Sequence, residues 1–155
     1  MGITPQFSVR EIHSYMESYR QRVEEIVIRN LQRLGEQAII HVRNRTGEES
    51  WYDQTGNLRS SVGYVVGRDG VVTSKGGFSQ VLNGAEGTSE GQKFAESLAK
   101  LMAGKYFLIV VAGMEYASYV EDMENKDVLA SSTLFVKDEL PKMIQRIDSM
   151  LKTRK

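Results

Sequence analysis

A chain of 155 residues, 41% apolar and 26% charged, is long enough to bury its own core and too ordinary in composition for a disordered, collagen-like or rod-forming protein. The 20 Lys and Arg balance 20 Asp and Glu, whereas a protein whose task is to grip nucleic acid usually carries a basic excess to neutralise phosphates. With no cysteine, disulfides, thiolate catalysis and Cys-based zinc sites are excluded together, a usage that fits a reducing compartment.

The N-terminal segment predicts a long helix. Ser8 and Glu11 have capping-box spacing, and Phe7 and Ile12 stand where a hydrophobic staple would form. Ile12, Tyr15, Met16, Tyr19, Val23, Ile26, Val27, Leu31, Leu34, Ala38 and Val42 then recur at steps of three and four, one apolar stripe continuing to about Asn44. A helix of that length would span roughly 55 Å. A bend or break is therefore expected near Tyr19 or Gly35, and part of the stripe is expected to face another subunit.

Residues 43–54 read as a polar loop containing Trp51 and Tyr52. Residues 58–66, rich in β-branched and aromatic side chains, predict a strand. Arg68-Asp69-Gly70 is turn chemistry, and residues 71–73 begin the return strand of a hairpin. Residues 74–91, rich in Gly, Ser and acidic groups, read as a long mobile loop, dispensable for the fold.

Residues 89–103 predict a short helix striped by Phe94, Leu98, Leu101 and Met102, with Gly104 as its stop. The apolar run at 106–112 predicts a buried central strand, continued at 116–121 and followed by a turn at Asn125-Lys126-Asp127. Ser131 or Ser132 would cap a last helix to about Lys152, kinked or restarted at Pro141. Strands and helices do not alternate regularly, so the expected fold is a single α+β domain over 1–155. In it a long N-terminal helix and a C-terminal helix pack on a small, mainly antiparallel sheet, with the mobile loop at 74–91.

No run reaches the roughly 18–20 apolar residues of a membrane helix. The start MGITPQ lacks the basic region and apolar core of a signal peptide, and Gln6 breaks the myristoylation pattern. These features lead one to expect a protein made and kept in the cytoplasm, with no membrane partner.

Candidate chemistry is thin. The stretch from Gly84 to Lys93 is glycine-rich, but Gly87 and Gly91 are too close for a Walker loop and Phe94 follows Lys93 where Ser or Thr is needed. His13 and His41 both fall on the first helix without Cys partners, which favours structural or surface roles over metal binding. Glu115, Glu121, Asp122, Glu124 and Asp127 lack the register of a calcium loop and read as a solvated or subunit-facing acidic rim. No serine sits in a Gly-x-Ser-x-Gly elbow. Neither an enzyme nor a cofactor is expected. Lys137, Lys142, Arg146, Lys152, Arg154 and Lys155 suit the C-terminal end of a helix, with contact to DNA or an acidic partner as the other reading.

Two segments carry a resemblance. Gln54-Thr55-Gly56-Asn57-Leu58-Arg59-Ser60-Ser61-Val62 resembles the "TGxLRxS" stretch of tailed-phage tail-completion and head–tail joining proteins, often described as minor tail or neck proteins. Tyr116-Ala117-Ser118-Tyr119-Val120-Glu121 is similar to their "YAxYVE" segment. Both occur in the family's order, and the likeness in organisation spans about residues 23–147. The chain departs from the family at Asp122-Met123-Glu124, where an aromatic residue, Gly and Thr usually follow, and at Val128-Leu129-Ala130, where Pro is common.

The resemblance implies a non-enzymatic structural protein of a phage or prophage particle. It would act in virion assembly at the head–tail junction or tail terminus, after synthesis in the host bacterial cytoplasm. Its implied partners are copies of itself in a ring, six by family analogy, together with head connector or tail tube proteins and DNA passing through the ring. The loop at 74–91 would order on meeting the connector or tube. The implied interaction residues are Thr55, Gly56, Asn57, Leu58, Arg59, Ser61, Tyr116, Ala117, Tyr119, Val120 and Glu121, with Leu58 inward, Arg59 outward and a candidate Arg59–Glu121 pair. Two other classes remain beside it: a small cytoplasmic protein-binding module with no virion role, and a hydrolase using the carboxylates at 115–127.

Overall fold

The structure, a computed structural model, describes residues 6–44, 55–114 and 129–153. Among these the order is α1 (Val9–Arg43), α2 (Asn57–Ser61), β1 (Val62–Arg68), β2 (Val71–Gly77), α3 (Ala85–Ala99), β3 (Tyr106–Ala112) and α4 (Ala130–Lys152). The fold is α+β, as expected: an antiparallel sheet in the order β2-β1-β3, with α1 and α4 over one face and α3 over the other.

The predicted capping box opens α1. Ser8 Oγ accepts from the Glu11 amide at 3.2 Å, and a Glu11 carboxylate oxygen accepts from the Ser8 amide at 2.6 Å. The second bond, with help from the Ser8 hydroxyl, holds the Glu11 carboxyl below its usual range. The helix then runs 35 residues, continuous through Tyr19 and Gly35 where a break was expected. Leu31, Leu34, Ala38, Ile39 and Val42 are buried, so packing anchors its C-terminal half.

In β1, side chains alternate between two cores. Val62, Tyr64 and Val66 face α1 and α4, where they meet Leu31, Leu34, Val42 and Met143. Val65 faces α3 and packs with Phe107, Val111, Ala95 and Ala99. The turn after β1 is as predicted: Asp69 (φ 55°) and Gly70 (φ 77°) both take the left-handed conformation that a type I′ hairpin requires. The register slips once, leaving Thr73 unpaired opposite Val66 and Gly67.

Several expectations are corrected. Among the described residues the central strand is β1 and β3 lies at the edge, its run of apolar residues reflecting cover on both faces. Residues 58–61 belong to α2, not to the strand. The supposed loop at 74–91 contains the second half of β2 and the first turns of α3, leaving only 78–84 between them. Accordingly α3 spans Ala85–Ala99 in place of 89–103, while Gly104 (φ 69°) lies in the connection to β3.

Leu129, not a serine, stands at the N-cap of α4. The Ser132 and Thr133 hydroxyls donate back to the Leu129 carbonyl at 2.8 and 3.3 Å. That helix runs through Pro141 without restarting. Pro141 lacks the N–H that would meet the Lys137 carbonyl, but both residues are exposed, so solvent can reach that carbonyl. The expected strand at 116–121 and turn at 125–127 fall outside the described residues.

Candidate functional site

The first family-like segment forms a junction rather than a cleft. Gly56 opens α2 with φ 80°, and a Cβ there would lie 1.9 Å from the Val81 carbonyl oxygen, so only glycine fits. Its carbonyl accepts from the Ser60 amide at 2.9 Å, and the Thr55 carbonyl accepts from the Asn83 amide at 3.2 Å. Thr55 Oγ1 accepts from the Asn57 amide at 3.2 Å. Leu58 is buried in the core beneath α1.

Asn57 reaches across to the start of α3. Its Oδ1 accepts from the Gly87 amide at 3.2 Å, and its Nδ2 donates to Glu86 at 3.4 Å. One residue thus caps a helix distant in sequence, satisfying one of the amides that helix start leaves free. Further along α3, a Cβ on Gly91 would lie 2.3 Å from the Ser61 carbonyl oxygen, so the two helices touch through backbone.

Ser60 and Ser61 are fully buried and satisfied. Ser60 Oγ accepts from the Val81 amide at 2.8 Å, and Ser61 Oγ donates to the Leu58 carbonyl at 2.7 Å. The Ser61 carbonyl also accepts from the Gly113 amide at 3.3 Å. From the end of α1, an Arg43 terminal nitrogen donates to the carbonyls of Arg59 and Val62 at 3.3 and 3.0 Å. Burial holds the Arg43 guanidinium below its ordinary range, opposed by the charge of Glu36, and its buried Nε meets no acceptor among the described residues.

Of the predicted residues, Thr55, Gly56, Asn57, Leu58, Arg59 and Ser61 are therefore gathered at one place, where α1, α2, α3 and the 78–84 connection meet. Leu58 points inward as expected, though from a helix, and Arg59 is half-buried. Tyr116, Ala117, Tyr119, Val120 and Glu121 lie outside the described residues, as do the Arg59–Glu121 pair and the acidic rim at Glu115 and 121–127. Arg43 reads from the sequence as the start of a polar loop, with no sign of its role in binding two carbonyls.

Among the described residues of the junction, the hydroxyls of Thr55, Ser60 and Ser61 meet backbone partners. Among the described residues no group of three or more His, Asp or Glu side chains is placed to hold a metal. His41 stacks on Phe135 with ring centroids 5.4 Å apart, and His13 lies on the exposed part of α1. The glycines at 87 and 91 lie inside α3, so the glycine-rich stretch is not a phosphate loop. Lys142 and Lys152 pair along their own helix with Glu139 and Asp148, each at 2.6 Å. No described helix is long and apolar enough to cross a membrane.

A different surface is chemically distinctive. Between α1, β3 and α4 runs an apolar groove of about 470 Å³, lined by Val27, Leu31, Tyr106, Leu108, Leu140 and Ile144 among others. Beyond it, every residue from 6 to 21, just before and along the start of α1, is exposed. The chain matches no family model, no curated protein and no solved structure.

Proposed function

We propose that this chain is a structural protein of a tailed-phage or prophage particle, acting at the head–tail junction or tail terminus as a ring of identical copies. The observation that carries the reading is the "TGxLRxS"-like segment, in which Gly56, Asn57, Leu58, Ser60 and Ser61 all serve as architecture. Residues used in this way fit a structural role rather than a reaction. The apolar face of α1 and the neighbouring groove fit work done through surfaces, where closed rotational symmetry repeats one contact between unlike patches. Connector or tail tube proteins are the expected neighbours, and DNA is the expected content of the ring.

Electron microscopy of particles assembled with and without the gene tests this role. Filled heads separate from free tails in its absence would support joining or completion, and overlong tails would point to termination. Normal, infectious particles would sink the reading in favour of a protein-binding module outside the particle.

A further inference from the structure

The stripe that builds the core does not stop where the core stops. Val27, Leu31, Leu34 and Val42 pack against the sheet and α4, and the same steps of three and four continue back through Val23, Tyr19, Met16 and Ile12. Arg68, at the end of β1, donates to Glu24 at 2.7 Å and sits over the Tyr106 ring, holding α1 where the sheet ends. Beyond that tether Phe7, Val9, Ile12, Tyr15, Met16 and Tyr19 are between 41 and 72% exposed. Single exposed apolar residues are ordinary, but six on one tip are not.

We propose that this tip packs into the apolar groove between α1, β3 and α4 of a second copy of the chain, so that each copy gives one helix and receives another. The inference rests on the ring reading above and supplies the contact a ring needs. Three observations select a second copy as the occupant. First, α1 is unbroken, so its tip cannot fold back onto a groove that begins further along the same helix.

Second, the dimensions agree: groove residues on α4 run from Val136 to Ile147, about 17 Å of helix, and the tip stripe from Val9 to Tyr19 is about 15 Å long. Third, aromatic side chains carry about 150–250 Å² each, so six side chains at these exposures offer on the order of 700 Å². That approaches the roughly 800 Å² per partner of a stable interface. The two patches differ, so passed on from copy to copy the contact is heterologous and forms a ring where the rotation closes, whereas a reciprocal exchange would stop at a dimer.

Sedimentation of the purified full chain tests this with Met16→Asp on the tip and Ile144→Asp in the groove, both at exposed positions, with circular dichroism as the folding control. Wild type is expected to form species larger than a dimer. Each variant alone should self-associate at least ten-fold more weakly. An equimolar mixture should recover association as dimers only, because one good tip meets one good groove and the remaining halves are dead.

Since the chain has no cysteine, mixing Met16→Cys with Ile144→Cys gives an independent reading: an interchain disulfide between the two variants is expected. A monomeric wild type, full association by Ile144→Asp, or no disulfide in the mixture would overturn the proposal. The particle role would remain open in each case, to be decided separately by loss of the gene.

Discussion

The Gly35 backbone lies against the ring of Tyr64: a Cβ at position 35 would come within 2.6 Å of Tyr64 Cδ2. The ring cannot withdraw, because Tyr64 is fully buried and its hydroxyl donates to Glu36 at 2.7 Å. Gly35→Ala would gain about 1 kcal/mol of helix propensity. Overpacking costs typically about 1–3 kcal/mol and here involves three ring atoms of a fixed side chain. The expected outcome is net destabilisation, read as a lower denaturant midpoint; an unchanged or higher midpoint would refute the close contact.

Burial, followed by the hydrogen bond to Glu36 and its charge, pushes the Tyr64 hydroxyl above its ordinary value. An unfolded tyrosine ionises near pH 10, so the folded chain keeps this proton where the unfolded chain has lost it. The contribution is therefore complete below pH 10 and declines as pH rises towards the folded value. Tyr64→Phe should lower stability by about 0.5–1.5 kcal/mol at neutral pH. Denaturant titrations should show a steeper loss above pH 10 in wild type than in Tyr64→Phe; parallel curves would contradict the assignment.

Asn57 caps α3 across the junction, so Asn57→Ala should cost about 1 kcal/mol. Asn57→Asp keeps an acceptor for the Gly87 amide but sets a second carboxylate against Glu86, so it should cost much less than Asn57→Ala only in a Glu86→Gln background, where the two are compared. Equal losses for the two variants would show that the side chain acts otherwise.

At Gly91, Ala would put a methyl 2.3 Å from the Ser61 carbonyl oxygen and against the rest of that backbone unit, which is not a flexible side chain. A loss of about 2 kcal/mol or more is expected in thermal or chemical unfolding. Deleting 74–91 should abolish folding altogether, because it removes half of β2 and the start of α3. A well-folded deletion would restore the mobile-loop reading.

The parts of the fold that announce themselves in sequence are those whose causes are local. Ser8 and Glu11 mark the start of α1 by their own hydrogen bonds, and Asp69-Gly70 marks the hairpin by its own backbone preference. The misread parts have distant causes. Gly84, Gly87 and Gly91 look like loop composition, yet each is small because the backbone of α2 comes within contact of α3. Leu58 and Val62 look like one strand, but α2 intervenes, held by Arg43 from α1 and by Val81. The run at 106–112 is apolar through cover by helices on both faces, which a central strand would equally require. At the junction, the "TGxLRxS"-like segment was legible as a unit, while the cap formed by Asn57 depended on a helix start the sequence did not reveal.

Cryo-electron microscopy of purified particles that carry this gene tests the central claim most directly. The account predicts a ring of α+β domains of this shape at the head–tail junction or the end of the tail, with α1 of each copy lying across its neighbour. Complete, infectious particles containing no copy of the chain would contradict it.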